Sequence, residues 1–115
     1  MGEFRSESIV ALAQQKGEIM ELKDTIEMMQ SMDYKERFKA EYHQTKIRYE
    51  KLKTFNNKIE AAQATGSEPI GFNGRKRVEM PKHDCPEYLL REQQSVMGNY
   101  LHVLEVRAEI EGIEL

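Results

Sequence analysis

Residues 85–115, CPEYLLREQQSVMGNYLHVLEVRAEIEGIEL, decide how this chain must fold. Leu90, Met97, Leu101, Leu104 and Ala108 recur at helical spacing and make one apolar stripe. A second set, Leu89, Val96, Tyr100, Val103 and Ile110, runs beside the first. Together they cover more than the roughly 100° arc that a surface helix buries. A helix apolar on two sides needs two partners, one within the chain and the other a further helix or a second copy. Asp84 and Glu87 have the spacing of a capping box, with Pro86 in the first turn, where its missing donor does no harm. Gly112 ends or frays the helix. Glu109, Glu111 and Glu114 sit at the negative end of its dipole, which costs roughly a few tenths of a kcal/mol each.

A chain of 115 residues holds one domain at most, and this one is 32% charged and 8% aromatic. It has no apolar run of the roughly 18 residues that a membrane span requires, and no signal peptide. The single cysteine, Cys85, excludes an intrachain disulfide and fits a reducing cytosol, so a cytoplasmic protein is expected. A net charge of −3 argues against general nucleic-acid binding. The charge is unevenly spread. Residues 32–62 carry 8 basic and 5 acidic groups (+3), whereas 1–31 carry 3 and 6 (−3) and 85–115 carry 2 and 6 (−4). A basic middle helix between two acidic ones favours their association, through exposed pairs each worth under about 1 kcal/mol.

Residues 1–8 are polar and expected to be disordered. From Ile9 a helical period starts, with Leu12, Ile19, Leu22, Ile26 and Met29 on a and d positions of a heptad and Gln15 at the missing d. Gly17 weakens it by about 1 kcal/mol relative to Ala. Met32 reads equally well as a start, which makes residues 1–31 either an N-terminal helix or an appended coiled-coil extension; GEFRS near the front has the look of a cloning scar. Asp33 with Glu36 three residues on is a second capping box. From there Phe38, Tyr42, Thr45, Tyr49, Leu52, Phe55 and Ile59 form one helical face to about Ala62. Arg37, Lys46, Arg48, Lys51 and Lys53 flank or oppose it. These residues make either a core with a solvated basic face, or a slot where rings stack on a base and cations meet phosphate.

Residues 63–84 break any helix through Gly66, Pro69, Gly71, Gly74 and Pro81. They form a Gly/Pro-containing loop, with a short β-hairpin around Asn73-Gly74 as one option. Arg75-Lys76-Arg77 follows Gly-Phe-Asn-Gly, an arrangement able to touch phosphate although the P-loop spacing is absent. His43, His83 and His102 are scattered, and His83-Asp84-Cys85 lacks the spacing that zinc needs, so no metal site is expected. Cys85 as a nucleophile would need a base and an orienting group. No cofactor motif is present, and nothing reads as an enzyme.

Tyr34 to Leu52, Cys85-Pro86, Arg91-Glu92-Gln93, Met97-Gly98, Tyr100-Leu101 and Leu104 together resemble a family of small phage-encoded helical-hairpin proteins, found among others in crAss-like phages. The resemblance covers about half the chain and is most specific in the last helix. The connection here is longer than the family's, and residues 1–31 lie outside it. At the level of architecture the hairpin is also similar to the anti-CBASS and anti-Thoeris sponge proteins, oligomers of helical hairpins that sequester cyclic nucleotide immune signals without cleaving them. In those sponges a tyrosine early in the first helix stacks on a base, and a lysine some four turns later meets phosphate. Tyr34 sits in a comparable place; the residue at the lysine's offset is Tyr49, with Lys46 and Lys51 beside it.

The expectation is therefore an all-α protein, an antiparallel hairpin of about 33–62 and 85–112 within residues 32–115, carrying an N-terminal helix and assembling into a homo-oligomer. The resemblance implies a phage accessory protein in the host cytosol that holds a cyclic nucleotide-type signal at helix–helix interfaces, with Tyr34, Arg37, Lys46, Arg75 and Arg77 as candidate ligand contacts. The rival is a non-enzymatic interaction module whose first helix recruits a coiled-coil partner.

Overall fold

A computed structural model describes residues 20–66 and 77–115. Among them the protein is all-α, with no strand. A single 3₁₀ turn, Leu22–Thr25, leads into α1 (Ile26–Met29), followed by α2 (Tyr34–Thr65) and α3 (Glu87–Glu111). Two compact units divide the chain, and both long helices pass from one into the other. One unit contains residues 20–48 and Asn99–Leu115; the other is Tyr49–Gly98.

In the first unit the start of α2 runs antiparallel to the end of α3. Tyr34 reaches Glu111 and Tyr42 reaches Glu105. Phe38, Tyr42, Leu101, Leu104 and Ala108 are buried, as the two periodicities require, and Ile113, beyond the end of α3, is buried as well. Each large apolar side chain removed from water there contributes about 1.5–3 kcal/mol. The N-terminal segment shows a different face from the expected one. Thr25 and Met28 are fully buried, while Ile26 and Met29 are half exposed. The tighter 3₁₀ turn changes the angular phase just before α1, so a seam counted at 3.5 residues per turn points the wrong way. Thr25 Oγ1 donates to the Leu22 carbonyl at 2.7 Å and accepts from Gln44 Nε2 at 2.9 Å, which satisfies a buried hydroxyl. The earlier heptad positions, Leu12 and Ile19, lie outside the described residues.

In the second unit the end of α2 runs antiparallel to the start of α3. Asn56, Ile59 and Ala62 are buried, with Leu52, Phe55, Leu90 and Met97 half-buried around them. Asn56 Nδ2 donates to the Leu90 carbonyl at 3.1 Å and to Gln94 Oε1 at 2.8 Å. Gly98 has a specific reason to be glycine. A Cβ there would stand 3.3 Å from Cε1 of Tyr49, so its absence lets the ring lie against the helix backbone.

Helix α2 ends at Thr65, three residues beyond the expected Ala62. Its last turn is held by Thr65 Oγ1, which donates to the Ala61 carbonyl at 2.9 Å and accepts the Val78 N–H at 3.2 Å. Residues 77–86 are neither helix nor strand. The turn suggested at Asn73-Gly74 lies outside the described residues. Helix α3 begins at Glu87, and the Pro86 carbonyl accepts the Leu89 and Leu90 N–H groups. Pro86 thus stands just before the first helical residue rather than within the first turn. The Glu87 carboxylate does not reach back to close a capping box with Asp84; Gln63 Nε2 donates to both its oxygens, at 2.7 Å to Oε2. A cross-helix amide has taken the acceptor.

Candidate ligand-binding site

The site is built from the beginning of α2 and the end of α3, and each end is fixed by its own cap. Asp33 Oδ1 accepts the Lys35 N–H at 3.0 Å, as an N-cap should. The reciprocal half of the expected box goes elsewhere, because the Asp33 N–H donates to Ser31 Oγ at 3.0 Å. Glu36 instead pairs with Lys39, with 3.6 Å between Oε1 and Nζ. At the other end Gly112 adopts φ +69°, and the Ile113 N–H donates to the Ala108 carbonyl at 2.9 Å. That is the six-to-one bond of a Schellman turn, with Ile113 folded back and buried beside Ala108.

Between these caps four side chains converge. The Tyr34 hydroxyl donates to Glu111 Oε1 at 2.9 Å and accepts from the Arg107 guanidinium at 2.6 Å. Arg107 Nε donates to Glu111 Oε2 at 3.1 Å. The guanidinium carbon lies 5.1 Å from the Phe38 ring centroid, and Tyr34 meets Phe38 edge to face at 6.1 Å. The hydrogen bond to Glu111 pushes the Tyr34 phenol above its usual range and does the same for Arg107. The Tyr34 ring is 45% exposed, so the cluster is open to solvent. Chemically it offers an aromatic edge and face, a cation pinned over a second ring, and a carboxylate already held where an anion would sit.

One helical turn inward, the Tyr42 hydroxyl donates to Glu105 Oε2 at 2.7 Å, and burial with that carboxylate raises its pKa strongly. On another face of α2, His43 is lowered to about 4 by burial, with Lys46 and Lys39 adding repulsion. Its Nε2 is enclosed and has no hydrogen-bond partner among the described residues.

The structure distributes the residues singled out by sequence. Tyr34 is in the cluster. Arg37, one turn on, sends its guanidinium back to the Ser31 carbonyl at 2.9 Å and braces the helix start. Lys46 lies 12 positions beyond Tyr34, about 18 Å along the helix axis, with its ammonium 5.8 Å from the Tyr42 centroid. Arg77 is exposed and belongs to the other unit. Arg75 lies outside the described residues. Arg107, which supplies the cation next to Tyr34, was not legible without the hairpin register; setting the first turn of α2 against the last turns of α3 would have found it.

Elsewhere, His83 Nδ1 donates to the Cys85 carbonyl at 2.8 Å, and Cys85 is an exposed free thiol. Among the described residues no three His, Cys, Asp or Glu side chains are grouped to hold a metal. No described helix is long and apolar enough to cross a membrane.

A family model named Sequestin matches residues 32–72 and 75–110, about two thirds of the chain. The chain belongs to the Sequestin family. Neither the curated proteins nor the solved structures provide a match. The Sequestin match takes in Tyr34, Phe38 and Arg107, and its name denotes holding something rather than converting it.

Proposed function

We propose that this Sequestin-family protein binds a small anionic signal of the cyclic nucleotide type and withholds it without cleaving it. In this reading it is a phage accessory protein working in the host cytosol as a homo-oligomer, with ligands held where helices meet. The observation that carries the reading is the Tyr34–Phe38–Arg107 arrangement, in which the exposed Tyr34 ring stands beside a guanidinium held over the buried Phe38 ring and fixed by two hydrogen bonds. A base stacks on the Tyr34 ring, and a phosphate replaces the Glu111 carboxylate on Arg107 and Tyr34. Among the described residues no general base and nucleophile stand in mutual reach beside the cluster, which favours retention of the ligand over turnover. Arg37 and Lys46 add positive potential along α2, and Arg75 and Arg77 stay in the proposal as further candidate ligand contacts.

Calorimetric titration with cyclic di- and trinucleotides and cyclic ADP-ribose isomers tests it. The expected result is sub-micromolar binding to one class, recovery of the ligand intact, and a loss of roughly tenfold or more in Arg107→Ala, equivalent to about 1.4 kcal/mol. Flat titrations across the panel overturn it. A second reading, a protein-interaction module, is favoured by the exposed apolar residues Val96, Val103 and Ile110 on α3. Flat titrations together with a host protein held by residues 1–31 would select that one.

A further inference from the structure

The cation of the ligand cluster is paired with a carboxylate of its own helix, and the helix holds that carboxylate poorly. Glu111 Oε2 accepts from Arg107 Nε at 3.1 Å, and Glu111 Oε1 accepts from the Tyr34 hydroxyl at 2.9 Å. Three things weaken the hold. Glu111 is the last residue of α3, at the negative end of the helix dipole. Arg107 precedes Glu111 by four positions, the less favourable order for such a pair. Both side chains stand in solvent, 48% and 30% exposed, where an ion pair contributes little. Nor does the C-terminal turn depend on it, since the bond closing that turn runs from the Ile113 N–H to the Ala108 carbonyl.

We propose that Glu111 is a tethered competitor for the ligand's anion, which sets the affinity of the site and keeps ordinary carboxylates out of it. The proposal rests on the reading above that this cluster takes phosphate. A side chain carried on the same helix meets Arg107 at an effective concentration on the order of millimolar. A free carboxylate only repeats the contacts that Glu111 makes, and so loses to it when more dilute. A phosphate brings more charge and a third oxygen, enough to hold the guanidinium and the Tyr34 hydroxyl 2.6 Å from it together. Once displaced, the carboxylate swings into water about its own side-chain bonds, and the turn at Gly112 stays closed. Glu111 thus acts on binding through Arg107 and Tyr34, by occupying them.

The test uses the full chain at constant ionic strength. Inorganic phosphate and acetate are titrated separately, and the Arg107 Nε–H resonance is followed by NMR. Glu111→Gln is expected to reach half-saturation at roughly tenfold less phosphate than wild type, and to respond to acetate where wild type does not. Glu109→Gln takes one charge from the same helix end and leaves the Arg107 bonds in place, so it should shift the midpoint little. Equal phosphate midpoints in wild type and Glu111→Gln overturn the proposal. So does a gain in Glu109→Gln as large as that in Glu111→Gln, or an Arg107 signal that phosphate moves in neither protein. The nucleotide reading is scored apart from this. A gain with phosphate beside flat nucleotide titrations removes that reading and leaves the displacement standing; a nucleotide bound equally by wild type and Glu111→Gln does the reverse.

Discussion

Gly112 takes a left-handed backbone with nothing within 4 Å of where its Cβ would stand, so the cost of any side chain there is purely conformational. Gly112→Ala is expected to lose about 1 kcal/mol in urea unfolding, and Gly112→Asn less, because Asn tolerates that region. An alanine variant of unchanged stability would mean that the Ile113 turn contributes little. His43 supplies a pH test at the same scale. Its folded pKa, about 4, lies below the unfolded value of 6.5. The stabilisation is therefore complete above about pH 6.5 and disappears as pH falls toward 4, because the unfolded chain takes up the proton first. After allowance for partial exposure the effect is on the order of 1–2 kcal/mol. The difference in unfolding free energy between wild type and His43→Phe should shrink across that window. An NMR titration placing the His43 midpoint near 6.5 would contradict it.

Among the elements, α2 and α3 were the most legible. Their apolar positions recur at the helical period over many turns, and the buried set Phe38, Tyr42, Ile59, Leu101, Leu104 and Ala108 lies on the expected faces. The Asp33 cap was legible too, since a short acidic side chain before a helical run has one strong local use. Asp33→Ala should cost about 1 kcal/mol, measurable as an earlier urea midpoint with unchanged slope. Less could be read where the outcome depended on a distant partner. Period alone cannot show that Asn56 is buried, because its placement depends on the Leu90 carbonyl and Gln94 across the hairpin. Asn56→Ala strands those acceptors and should cost about 1–2 kcal/mol. The seam before α2 was misread because a four-residue 3₁₀ turn has no strong sequence mark, yet it decides that Met28 rather than Met29 is enclosed. Tyr34 was found in sequence through its place near the helix start. Arg107 was not, because pairing across two helices is set by register, which neither helix encodes alone.

Across the molecule, a net charge of −3 opposes non-specific contact with polyanions, while one guanidinium cluster remains open for a small one. The protein should therefore pass unretained through heparin at physiological salt, and retention there would point to a broader basic surface than α2 presents. The bond from Tyr42 to Glu105 has a practical consequence in alkali. The chain contains five tyrosines and no tryptophan, so phenolate absorbance can be followed without interference. Tyr42, buried and donating to Glu105, should keep its proton as the solution is made basic until the helices around it come apart. That late colour change is an intrinsic gauge of intactness, and it needs no label.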